Sequence, residues 1–193
     1  MSEDQYGVLP RGINHLGLTV PDLDIATRFL TDGLGARWCY DGLTQDDPPR
    51  EGPEVERQLG LPPGSRIVRQ RLMRIGNGPN LEIFEVQTRD PAEPIGLADR
   101  GWNHISVYCD DLQSALRRIV DAGARPLSEV HGNSRHEDTP GNGSVYVVPP
   151  WGGLIELQSI PGGNYYPSDS QADAWLPRPF GRVPAGGVGA VRS

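Results

Sequence analysis

This chain carries one segment twice, and a duplicated unit constrains architecture before any single residue does. Residues 12–37 read GINHLGLTVPDLDIATRFLTDGLGAR, and residues 101–125 read GWNHISVYCDDLQSALRRIVDAGAR. Shifted by 89 positions, His15 onto His104, the first copy places Gly12, Asn14, Asp22, Leu23 and Ala26 on Gly101, Asn103, Asp111, Leu112 and Ala115. One residue is then lost, and Gly35-Ala36-Arg37 meets Gly123-Ala124-Arg125. Each copy is followed by a strand-like run with a central carboxylate, NLEIF around Glu82 and LIEL around Glu156.

Within each copy the pattern changes period. Leu16, Leu18 and Val20 alternate with His15, Gly17 and Thr19, and Ile105, Val107 and Cys109 alternate with His104, Ser106 and Tyr108, as in strands with one apolar face. Pro21-Asp22 and Asp110-Asp111 then supply acidic residues suited to N-capping ahead of apolar residues at helical spacing, and Gly33, Gly35 and Gly123 mark the ends. Further strands are expected over 66–75, 80–86, 143–148 and 153–159, with one more directly after each helix. Each unit therefore reads as βαβββ, and the chain as α+β. Residues 41–64 form a Pro/Gly-rich insertion with a short helix near Glu54–Leu59, and residues 128–142 form a polar loop. The stretch 161–193 is Gly/Pro-rich and without periodicity; its first part, with Tyr165, Tyr166 and Trp175, is expected to pack on the domain, and its end to be disordered.

A chain of 193 residues with 36% hydrophobic content holds one ordinary domain. Its net charge of −7, with no basic run, argues against nucleic acid or an anionic membrane surface as partner. No stretch is apolar enough to span a bilayer, the N-terminus lacks a signal-peptide pattern, and Cys39 and Cys109 have no framework spacing. A cytoplasmic protein with buried free thiols is expected.

The faces point to chemistry. In the His strands and the Glu strands alike, the apolar residues share one side and the ionisable residue takes the other. A lone strand histidine is ordinarily a hydrogen-bonded core residue, and a lone glutamate ordinarily lies on the solvent side of an edge strand. The same two types on matching elements of two copies are different. Two neutral imidazoles and two carboxylates suit one divalent cation. His131 and His136 lie in the polar loop and read as solvated, His136 being a minor candidate acid or base.

The segments NHLGLTVPDLDIATRFL, NHISVYCDDLQSALRRI, NLEIFEV and LIELQS resemble the vicinal oxygen chelate superfamily, which includes glyoxalases, extradiol dioxygenases, epimerases and antibiotic-resistance proteins. The resemblance covers about residues 11–160. It implies a domain over 1–160 with modules at about 11–88 and 101–160, forming an open, metal-centred barrel. It also implies His15, Glu82, His104 and Glu156 as ligands of one divalent ion, zinc first, with nickel, cobalt, manganese or iron as alternatives. Four intact ligands place the chain nearer the epimerases, of the 2-epi-5-epi-valiolone or methylmalonyl-CoA type, than the three-ligand dioxygenases. A metal-dependent isomerase moving a proton beside a carbonyl, on a substrate such as a cyclic polyhydroxy ketone, is thus expected, with Glu82 and Glu156 as bases. A glyoxalase-type lyase, an extradiol dioxygenase and a non-catalytic small-molecule binding protein are the alternatives. Asn80, Asn103, Ser106, Tyr108 and Trp151 are candidate substrate contacts, and a homodimer is expected from the open edge of each module.

Overall fold

The computed structural model describes residue 10 and residues 12–179; the end of the tail, expected to be disordered, lies outside the described residues. The first module runs β1 (His15–Val20), α1 (Leu23–Leu34), β2 (Arg37–Leu43), β3 (Arg50–Glu51), α2 (Pro53–Leu59), β4 (Arg66–Arg74) and β5 (Asn80–Gln87). The second runs β6 (His104–Tyr108), α3 (Leu112–Asp121), β7 (Arg125–Pro126), β8 (Gly143–Val148) and β9 (Leu154–Ser159), with a 3-10 turn at Arg135–Glu137. The βαβββ plan holds in both modules. The 41–64 insertion adds β3 and α2 to the first, and β7 shrinks to two residues in the second.

Each module makes its own sheet, in the order β1-β5-β4-β2 and β6-β9-β8-β7, with β3 beside β4. β1 runs parallel to β5, and β6 parallel to β9. Both His strands are therefore edge strands, and no strand pairing joins the sheets or closes a barrel among the described residues.

The helices start where the sequence places them. Asp22 Oδ1 accepts from the backbone N–H groups of Asp24 and Ile25, and Asp111 Oδ1 accepts from that of Ser114. Gly35 ends α1 in the left-handed conformation, φ 68°. Gly33 matters for packing instead, since a Cβ there would lie 3.2 Å from both Ala122 and Ile119. Its missing side chain lets α1 lie close against α3, and the modules meet through this helix pair. Arg118 of α3 strengthens it by donating to the carbonyl of Asp32 at the end of α1.

One apolar core results. Leu81 and Ile83 of β5, Val145 and Val147 of β8, and Ile155 and Leu157 of β9 join Leu23, Phe29, Leu30 and Ile119 of the helices in it. The helix-covered face of the first sheet also holds charge. Arg69 makes a two-pronged pair with Asp24, and Arg71 another with Asp41 while donating to Thr27 Oγ1. Both thiols are free. Cys109 is partly shielded, and burial pushes it up to about 11, but Cys39 is exposed on β2, contrary to expectation, because its position on that strand is uncovered.

Hydrogen bonding by the Arg71 guanidinium holds the Asp41 carboxyl below its ordinary range. A carboxyl depressed in the folded state contributes stability above its unfolded value, about 3.9, and loses it as pH falls through the lower folded value. Asp41→Asn is therefore expected to destabilise the protein by about 1–3 kcal/mol at pH 7. In urea titrations the gap between mutant and wild type should close below about pH 4; a gap independent of pH would show that the ion pair is not its source.

Candidate active site

Strand alternation puts the ionisable residues outside that core. Val20 is buried and Leu16 and Leu18 pack against the core, leaving His15 on the open side of β1. Glu82 lies between the buried Leu81 and Ile83 and takes the same open side. The register does the rest: Gly17 is opposite Glu82 and Ser106 opposite Glu156, so each carboxylate faces the residue two beyond its histidine. His15 Nε2 stands 3.2 Å from Glu82 Oε2, and His104 Nε2 3.9 Å from Glu156 Oε2.

The two imidazoles are held alike. His15 Nδ1 lies 2.9 Å from Asn14 Oδ1, and His104 Nδ1 lies 2.7 Å from Asn103 Oδ1. An amide oxygen only accepts, so Nδ1 carries the hydrogen, and the Nε2 of a neutral ring presents its lone pair to the carboxylate. Two acceptors then face each other, and a proton or a cation belongs between them. This is how a histidine ligand is oriented by an outer partner, so the donor set fits a divalent ion. Among the described residues, however, no three His, Cys, Asp or Glu side chains gather closely enough to hold one. The four expected ligands form two matched pairs on separate sheets.

The surroundings of the pairs differ. Glu82 Oε1 accepts from Gln70 Nε2 at 2.5 Å. In the second module Tyr146 is opposite Glu156 in the ladder, and its ring stands edge-on to His104 at 5.4 Å. Burial, and then the adjacent Glu156 carboxylate, push the Tyr146 phenol above its ordinary value. Farther along β9, Gln158 donates weakly to Glu137 from the polar loop, at 3.4 Å.

The expected substrate contacts divide. Ser106 and Tyr108 lie on the His104 side of β6. Asn80 donates its amide to the Asn14 carbonyl and so braces the approach to His15, and Asn103 bonds His104. Trp151 packs edge-on against Phe29, ring centres 5.1 Å apart, at the margin of the core. His131 and His136 are exposed and stand apart from both pairs. Asn14, Gln70 and Tyr146 were not among the expected site residues. Asn14 was visible as the repeat mate of Asn103; Gln70 and Tyr146 emerge only from strand register.

A family model described as the glyoxalase/bleomycin resistance protein/dioxygenase superfamily matches residues 14–139. The chain belongs to that superfamily. It is also 31% identical to a 2-epi-5-epi-valiolone epimerase from Actinomyces sp. over 173 residues, 88% of this chain and 89% of that protein. Among solved structures, a glyoxalase family protein from Bacillus cereus aligns with a TM-score of 0.62 at 15% identity, over 83% of this chain and 99% of that one. A glyoxylase/bleomycin resistance protein/dioxygenase domain from Frankia sp. aligns at 0.56 and 17% identity, over 80% and 96%. These structural likenesses establish the superfamily's fold. Among the described residues no helix is long and apolar enough to cross a membrane.

Removing either amide frees the imidazole to take the other tautomer. Were the two pairs to hold Zn²⁺, Asn14→Leu and Asn103→Leu would each be expected to weaken its binding about 10-fold or more, the usual effect of losing an outer partner. Titration of metal-stripped protein against a chromophoric chelator checks this, and wild-type affinity in both variants would show that the amides do not set the tautomer.

Proposed function

We propose that this superfamily member is a divalent-metal-dependent epimerase or isomerase that moves a proton on the carbon beside a carbonyl, acting on a small cyclic polyhydroxy ketone. The observation that carries the proposal is the pair of matched Asn-held His–Glu sets on the open faces of the two sheets. The 31% identity to a 2-epi-5-epi-valiolone epimerase, over most of both chains, supports the reaction class and the kind of substrate.

His15, Glu82, His104 and Glu156 would hold the ion. When bound, a divalent cation supplies a Lewis acid that stabilises negative charge on oxygen beside the reacting carbon. The protein's own part is proton transfer. A carboxylate freed of its partner is an acceptor of suitable strength for a carbon acid so activated. Glu82 and Glu156 come from different sheets, so one can take the proton from one side of the substrate and the other return it on the opposite side. That is inversion at one carbon. Ser106 and Tyr108, on the same open face, are suited to bond substrate hydroxyls.

Each chain offers two half-sites, and a four-ligand centre needs them face to face. Among the described residues β1 and β6 are both unpaired edges beside the half-sites, which favours a homodimer in which the first half-site of one protomer meets the second of its partner.

Two experiments test these statements. In deuterated water, 2-epi-5-epi-valiolone should gain deuterium beside its carbonyl, and a chelator should stop the exchange. Glu82→Gln or Glu156→Gln should slow exchange about 10²–10⁴-fold, the usual weight of a general base. Tight substrate binding with no exchange would instead mark a binding protein. Mixing the two inactive variants should restore about a quarter of wild-type exchange, because half of randomly formed dimers carry one intact site of two. No recovery, or a monomer by sedimentation at micromolar concentration, would eliminate the shared-site arrangement.

A further inference from the structure

The two half-sites are alike in their histidines and carboxylates and unlike in what stands behind the carboxylates. A shift of 74 positions, Glu82 onto Glu156, carries the β4–β5 ladder onto the β8–β9 ladder: Leu72 is opposite Glu82 as Tyr146 is opposite Glu156. The same shift places Ser144 where Gln70 stands. The first ladder therefore offers its carboxylate an amide donor and an aliphatic neighbour, and the second offers a phenol and, at the position matching Gln70, no amide; the Gln158 amide two residues along β9 is turned to Glu137 instead.

An amide N–H at 2.5 Å occupies Glu82 Oε1 and leaves Oε2 toward His15. A primary amide donates through Nε2 and cannot accept there, so the bond favours one orientation of the carboxylate throughout a reaction cycle. Among the described residues no amide clamps Glu156 in this way. Ser144, in the matching position, is 3% exposed and too short to reach in the same way, and His104 lies farther from its carboxylate than His15 does from Glu82. Tyr146 is opposite Glu156 in the ladder and braced edge-on against His104, and its phenol suits a moving carboxylate, because a hydroxyl rotates and both donates and accepts.

Resting on the metal-dependent reading above, we propose that Gln70 is a positioning residue that keeps Glu82 a stationary metal ligand, while Tyr146 positions Glu156, the carboxylate that swings to carry the proton. Both residues act through the glutamates rather than on the substrate. The division adds an order to the two-carboxylate scheme: Glu82 would keep its place while it gives or takes a proton, and Glu156 would move toward the substrate carbon.

The test separates affinity from turnover. Metal-stripped wild type, Gln70→Leu and Tyr146→Phe are titrated with Zn²⁺ against a competing chelator, and solvent deuterium exchange is measured at saturating Zn²⁺; circular dichroism establishes that each variant is folded. Gln70→Leu should bind Zn²⁺ about 10–100-fold more weakly and recover most of its exchange when the metal is saturating. Tyr146→Phe should bind Zn²⁺ within about 3-fold of wild type and remain about 10-fold or more slower at saturation, the opposite split. Should the leucine variant prove unfolded, Gln70→Met, which keeps the length but removes the donor, is expected to show the same weak binding. Zn²⁺ affinity unaltered by both changes at position 70 overturns this proposal alone, as does a Tyr146→Phe variant that loses metal in step with turnover. Failure of the wild type to bind Zn²⁺ overturns the metal-dependent reading and this proposal together.

Discussion

Leu81 and Ile83 in β5, and Ile155 and Leu157 in β9, are between 0 and 3% exposed, and their burial against α1 and α3 disposes of everything else on those strands. A strand has a two-residue period, so Glu82 and Glu156 go to the face that no helix covers. His15 and His104 follow by the same rule in the parallel neighbours. Slipping either register by one residue would bury a carboxylate in the core and expose leucine and isoleucine, at a cost of several kcal/mol. The apolar core thus places the site without touching it.

The asymmetry between the modules begins in this core as well. Arg69 and Arg71 face α1 from β4, where the second module has Gly143 and Val145 at the matching positions. Asp24 and Asp41 answer both guanidiniums with paired hydrogen bonds, and Glu85 receives the N–H of Leu23 at the start of α1. The first module is held by directional bonds from helix to sheet, the second by aliphatic packing. Gln70 sits between the two arginines on the opposite face, so the strand that fixes Glu82 is itself anchored from behind by two ion pairs.

The repeat made much of this legible. Period-2 alternation and capping aspartates sufficed for β1, α1, β6 and α3, and the joint His/Glu pattern sufficed for the two pairs. What stayed hidden depends on register and on packing between modules. Gln70 lies between two arginines inside the expected strand 66–75, and its place beside Glu82 rests on a β4–β5 ladder that shifts between Ile67 and Arg69. Trp151 looked like a pocket aromatic but meets Phe29, a contact between distant segments that no local pattern encodes. Separate sheets were equally out of reach, since a repeat of this kind can join edge to edge or helix to helix. Gly33 against Ile119 and Ala122 selects the second.

That selection bears on how such a protein would work. With the helices packed together and both half-sites outside the shared core, the chain cannot complete a four-ligand centre by adjusting a loop. The centre would have to come from an encounter of open faces, and those faces are polar enough to survive unpaired: the His15 side chain is 44% exposed and Glu82 26%, each hydrogen-bonded within its own module. His104 and Glu156 are less exposed, at 29% and 13%, because Tyr146 shelters one flank. On the proposed metal-dependent reading, half-sites pre-oriented by Asn14 and Asn103 would lose little freedom on meeting, and most of the ordering for metal binding would already be complete within each module. Metal binding and association would then favour each other, since an ion that binds only the joined half-sites stabilises the dimer by mass action.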